Sequence, residues 1–289
     1  MLRRAPLRKA SASRRTRSRR AVLSFLVLAV ATNVLLSVGM DTLWPSLRDA
    51  EYTCRRQRIQ ARVTAHPERP LAVVLGSSRT DFGVRPLVAD QGPLVCNASQ
   101  VGAGPLLQQL TLRRLLHDGV APKELIVEYW PPFLAQDDGQ FEPHRIARDR
   151  LMDGDRQLIR EYFQDPAQLE AEMDWRRRNP IFGYREPMLA HVLSAWLLDR
   201  KRLNWTWDNV DDWGWKPGPA LEPGPSAVRT ALHKRSEELY KPLFAAHRIS
   251  PISDQAYRAS IALARAHGAA VGLVFLPESS EFRRLYPAK

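Results

Sequence analysis

The chain has 289 residues, a formal net charge of +12 and two cysteines. That length can bury a substantial core, and two cysteines exclude a small disulfide-stapled scaffold. Nine of the twelve surplus positive charges fall in the first twenty residues (Arg3, Arg4, Arg8, Lys9, Arg14, Arg15, Arg17, Arg19, Arg20), which contain no acid, so the basicity belongs to a tail and the body is near neutral.

A basic tail serves phosphate binding or membrane orientation, and the next segment decides between them. Residues 21–40 read AVLSFLVLAVATNVLLSVGM without a charge. At ~1.5 Å per residue a helix of this length spans the hydrocarbon core of a bilayer. Only Ser24, Thr32, Asn33 and Ser37 are polar. Residues 1–20 therefore read as a basic cytoplasmic tail and 21–40 as a transmembrane helix in a single-pass membrane protein, with everything later on the outer side. The expected partner is the lipid bilayer and not nucleic acid. A cleaved signal peptide is the competing reading, with Ser37 and Gly39 as small residues near a cleavage position; the length of the run favours the anchor.

Residues 41–70 are charged, helix-permissive and punctuated by Pro45, Pro67 and Pro70, and read as a stalk or lead-in helix. Short apolar runs at 71–75 (LAVVL), 94–97, 124–130 (ELIVEYW) and 271–276 (VGLVFL) have the length and flanking turn residues of buried strands. Residues 105–117 and 254–267 carry helical spacing, each followed by glycine. This alternation predicts an α/β domain over 71–289 with a mainly parallel, flavodoxin-like sheet. Residues 135–250 contain no strand pattern and read as a helical insertion rich in tryptophan (Trp196, Trp205, Trp207, Trp213, Trp215), with helices expected at 156–163, 166–178, 187–203 and 226–247.

Sites in open parallel sheets lie at the carboxyl ends of the strands. There the sequence places Gly76-Ser77-Ser78-Arg79, Asn97 to Gly104, Trp130-Pro131-Pro132 and Pro277-Glu278-Ser279-Ser280. A serine on a tight turn after a strand is presented as a nucleophile is in α/β hydrolases, beside backbone N–H donors. Gly102-Ala103-Gly104 resembles part of a dinucleotide fingerprint, but Leu107 stands where the third glycine would be and Pro105 intrudes, so no cofactor is expected. No metal-ligand spacing is present. The Trp205–Trp215 group with Asp208, Asp211 and Asp212 reads either as a carbohydrate platform or as staples for a loop-rich insertion. Whether Cys54 and Cys96 pair stays open.

Gly76, Ser77 and Ser78 after the first strand, and Asn97 with Gly102 five residues on after the second, resemble the first two blocks of the SGNH (GDSL-type) hydrolases. VLGSSRT with the late PESSEFR looks most like the membrane-anchored branch, similar to alginate O-acetyltransferases and D-alanine transfer accessory proteins. The resemblance implies Ser78 as nucleophile, the N–H groups of Ser78 and Gly102 as an oxyanion hole, Arg79 and Asn97 as substrate-binding candidates, and a serine esterase or O-acyltransferase acting on cell-envelope polysaccharide. Two departures stand out. Trp130-Pro131-Pro132 replaces the asparagine donor of the third block. No aspartate is followed two or three positions on by any of the seven histidines (His66, His117, His144, His191, His233, His247, His267). The expectation is a sheet without its last strand and without its base, either a truncated enzyme or a non-catalytic, membrane-tethered binding or scaffold protein on the same fold.

Overall fold

A computed structural model describes residues 9–42, 48–86, 91–135, 142–143, 146–198, 203–218, 227–245 and 248–286. Arg3, Arg4 and Arg8 of the basic tail, together with His144 and His247, lie outside these residues.

The chain opens with one long helix, α1 (Lys9–Thr42), whose stretch Thr16–Met40 is long and apolar enough to cross a membrane. Its flanks are exposed except for one stripe through Ala29, Asn33, Leu36, Ser37 and Met40. Helix α2 (Ala50–Ala65) follows, capped by the Asp49 carboxylate on the N–H of Tyr52. The sequence reading expects a stalk or lead-in helix here; a helix forms, and it packs against the sheet, with Tyr52, Arg55 and Ile59 buried on one face.

Four strands follow in a wholly parallel sheet: β1 (Leu71–Leu75), β2 (Leu94–Asn97), β3 (Glu124–Glu128) and β4 (Ala270–Val274), in the order β2-β1-β3-β4. All four sequence-predicted strands are present, the last two ending two residues earlier than expected. Alternate residues of the strands (Leu71, Val73, Leu75; Leu94, Cys96; Leu125, Val127) meet Tyr52 and Ile59 of α2 in one core. Leu112 and Leu115 of α4 (Pro105–His117) and Tyr257 and Ala264 of a later helix join them. Burying each leucine stabilises the fold by roughly 1.5–3 kcal/mol. At the other edge β4 is open, and Leu273 and Phe275 are about half exposed.

Between β1 and β2 sits α3 (Ser78–Gly83); after β3 comes α5 (Pro131–Leu134). The insertion is helical among its described residues: α6 (Arg156–Tyr162), α7 (Pro166–Arg178), α8 (Pro180–Gly183), α9 (Arg185–Val192), short 3-10 turns and α10 (Ala227–Ala245). The helix expected at 187–203 is thus shorter and starts earlier, since Leu193 leaves helical geometry and a 3-10 turn takes over at Ser194–Trp196. The chain returns through α11 (Pro251–Ala266), which packs on α4, to β4 and α12 (Ser280–Arg283). Cys54 and Cys96 are both free.

Candidate functional site

The carboxyl ends of β1, β2 and β3 gather the residues the sequence singled out. Of the two serines after β1, Ser77 is buried and its Oγ caps α3 by accepting the Arg79 N–H at 3.2 Å. Ser78 is the first residue of α3, half-buried, and among the described residues neither its Oγ nor its N–H has a hydrogen-bond partner. The turn leaves Ser78 with the two groups a nucleophile and oxyanion donor would need. Gly76 is required by close approach, because a Cβ there would overlap Thr80 Oγ1 and the Glu128 side chain.

The second loop is tied to the first. Gln100 donates its N–H to the Gly76 carbonyl at 2.9 Å, and Ala98 donates to Val74 at 2.8 Å. Two residues beyond Gln100, Gly102 takes a φ of +75°, a conformation natural only to glycine. Asn97 is fully buried. Its Nδ2 donates to the carbonyls of Thr80 (2.9 Å) and Val84 (3.0 Å), and its Oδ1 accepts the Ser99 N–H at 2.9 Å. Both amide hydrogens are spent inside the protein, so Asn97 fixes the spacing of the two loops.

Arg79 is likewise engaged internally. Its guanidinium donates to the Leu276 carbonyl at 3.0 Å, lies over the Trp130 ring at 4.6 Å and comes within 3.8 Å of Glu128 and 3.5 Å of Glu278. It joins the ends of β1, β3 and β4. Glu278 also accepts the Trp130 indole N–H at 2.6 Å and the Tyr286 hydroxyl at 3.0 Å.

Glu128, the last residue of β3, is fully buried beneath the serine turn. Its Oε2 accepts the Ser77 N–H at 2.5 Å and lies 3.1 Å from Thr80 Oγ1, while Oε1 has no hydrogen-bond partner among the described residues. Past this strand, where the resemblance implies an asparagine donor, the chain has Trp130-Pro131-Pro132, and the two prolines carry no N–H. The Glu128 carboxylate opposes a developing oxyanion, and the Arg79 charge partly offsets it.

A buried ionic cluster positions both loops, and sequence reasoning missed it. On α2, Glu51 accepts the Val101 N–H at 2.8 Å, next to Gly102, and Arg55 donates to Asp81 of α3 at 2.7 Å. Arg150 bonds Asp49 at 2.8 Å and Gln100 at 2.7 Å, and lies 3.2 Å from Glu51. Arg114 bridges Asp49 (2.8 Å) and Asp155 (2.6 Å). Burial alone would raise the Asp49 carboxyl, but Arg150 and Arg114 outweigh it and hold Asp49 low. For Glu51 and Asp81 burial wins over the neighbouring arginines and the carboxyls are pushed up. The Glu51/Arg55 pair at i,i+4 was the only local signal in the sequence, and it looks the same on any solvated helix.

The Trp-rich segment divides in two. Trp213 and Trp215 are staples: the Trp213 carbonyl accepts the Asn97 N–H at 2.8 Å, Trp215 Nε1 donates to the Phe82 carbonyl at 2.9 Å, and Arg62 and Arg85 cover their rings. Gly214 has a φ of +81° and a Cβ there would overlap the Asn97 carbonyl. Trp205 and Trp207 instead line a cavity of about 300 Å³ with Glu51, Val101, Arg150 and His191. His191 stacks on Trp207 at 5.1 Å.

Among the described residues no histidine bonds Ser78, and no cluster of His, Cys, Asp or Glu could hold a metal ion. Of the dinucleotide-like glycines, Gly104 is required by close approach: a Cβ there would overlap the Glu142 carboxyl, which accepts the Leu106 N–H at 3.2 Å at the start of α4. Comparison with protein-family models, curated proteins and solved structures finds no match for this chain.

Proposed function

We propose that the protein is a membrane-anchored serine esterase or O-acyltransferase of SGNH type, in which Ser78 accepts the acyl group. The observation that carries this reading is Ser78 itself, with an unbonded hydroxyl and N–H at the carboxyl end of a parallel sheet, one loop away from Gly102 at positive φ. The sheet order β2-β1-β3-β4 is compatible with it. In this reading α1 spans the bilayer with the basic tail inside and the α/β domain outside, facing cell-envelope polysaccharide.

A second reading is a non-catalytic, membrane-tethered binding or scaffold protein. It is favoured by Trp130-Pro131-Pro132, where two prolines stand in place of the asparagine donor, and by the lack of a histidine beside Ser78 among the described residues. A fluorophosphonate probe on the folded protein separates them. Labelling of wild type and not of Ser78→Ala supports the enzyme. A folded, unlabelled wild type supports the scaffold.

A further inference from the structure

We infer that the helical insertion docks on the bilayer through α7, α8, α9 and the turn that follows, forming an interfacial surface beside the anchor. The inference rests on α1 being a membrane span. Within α1 the polar residues Asn33 and Ser37 are not idle: Asn33 Nδ2 donates to the Arg178 carbonyl at 2.7 Å and Ser37 Oγ to the Arg177 carbonyl at 2.6 Å. The last carbonyls of a helix lack partners within it, so α1 caps the end of α7. In lipid this also satisfies two side chains that would otherwise be costly.

The geometry sets a depth. Asn33 lies seven residues before Met40, about 10 Å along the helix. If the span ends near Met40, the C-terminus of α7 and α8 sit at the level of the outer interface or just within it. The side chains there suit that position. Trp175 is 53 % exposed, Phe182 62 %, Val192 74 % and Trp196 76 %, and Leu198 is exposed as well. The elements bearing Trp175 to Trp196 pack in succession, α7 on α8, α8 on α9 and α9 on the following turn, and α1 packs on α7 and α8. Arg176 and Arg177 at the end of α7 are paired with Glu172 (2.7 Å) and Asp153 (2.6 Å), so their charges are compensated within the protein. Exposed aromatic rings at the headgroup level beside arginine stems are the composition of an interfacial surface. Large apolar side chains left exposed in this number are costly in water. Helix α9 also lines the 300 Å³ cavity through Glu186, Ala190 and His191, so that cavity would open close to the headgroups.

The test uses the whole chain with Cys54→Ser, reconstituted in vesicles of phosphatidylcholine and phosphatidylglycerol. A nitroxide is attached at Phe182→Cys, at Trp196→Cys or at Glu68→Cys. Glu68 is exposed and lies beyond the far end of α2, about 24 Å from its start by helix rise. Collision with oxygen should exceed collision with a water-soluble nickel chelate at 182 and 196, with the ratio several-fold higher than at 68. Carbonate washing of the same membranes reports the anchor separately. Retention with 182 and 196 as water-accessible as 68 overturns the docking surface alone. Release by carbonate overturns the span and the surface together.

Discussion

Glu51 Oε1 accepts the N–H of Val101 at 2.8 Å, so the first turn of α2 holds the loop that carries Gly102. Arg55, one turn later, holds Asp81 on the helix that begins with Ser78. One helix face thus fixes both halves of the candidate site. Glu51→Ala should raise hydrogen exchange at the Val101 amide by roughly tenfold, since a buried N–H loses its acceptor, worth about 1–3 kcal/mol. Glu51→Gln keeps an acceptor and should exchange close to wild type. Equal protection in all three proteins would remove the clamp.

Arg114 is the most demanding member of the ionic cluster, because two buried carboxylates, Asp49 and Asp155, depend on it. Arg114→Met should destabilise the domain by about 3–5 kcal/mol in urea, the cost of leaving buried charge uncompensated. A loss under 1 kcal/mol would mean that water reaches these groups.

Gly76→Ala should cost about 1–3 kcal/mol, as its Cβ would force Thr80 and Glu128 apart at the base of the serine turn. Denaturation midpoints measure it. A neutral result would show that the turn is looser than its hydrogen bonds imply.

Burial pushes the Cys96 thiol from 9.0 up to about 11. The folded state then holds this proton more tightly than the unfolded state, so Cys96 lowers stability as pH rises through the window from about 9 to about 11. Cys96→Ala should flatten that decline, read from urea midpoints across the window. Iodoacetamide at pH 8 should modify native protein at Cys54 and leave Cys96 untouched until the chain unfolds.

The strands were legible in the sequence because each is a short run of apolar residues flanked by turn residues, as LAVVL before Gly76 shows, but β4, read as buried like the others, is largely exposed at the sheet edge. The helix at Pro166–Arg178 was equally plain, with Asp165 as its cap and Pro at its first position. What could not be read was pairing between distant residues. Glu128 is one of seven residues in the ELIVEYW run, which gives no sign that it lies buried against Ser77, 51 positions earlier in the chain. Arg55 looked like a surface arginine in a charged helix and is instead fully buried on Asp81. Asn33 looked like a tolerated blemish in an apolar run, and its purpose shows only when the Arg178 carbonyl, 145 residues on, is placed beside it.

The central claim concerns Ser78 and is tested most directly by intact-mass and peptide spectrometry. The folded protein is incubated with p-nitrophenyl acetate and quenched in acid. The account predicts a single acetyl group on the peptide containing Ser78, absent from Ser78→Ala and still formed, more slowly, in Gly102→Ala. No acetyl group on Ser78 in the folded wild type, or one that persists on a neighbouring residue in Ser78→Ala, would contradict it.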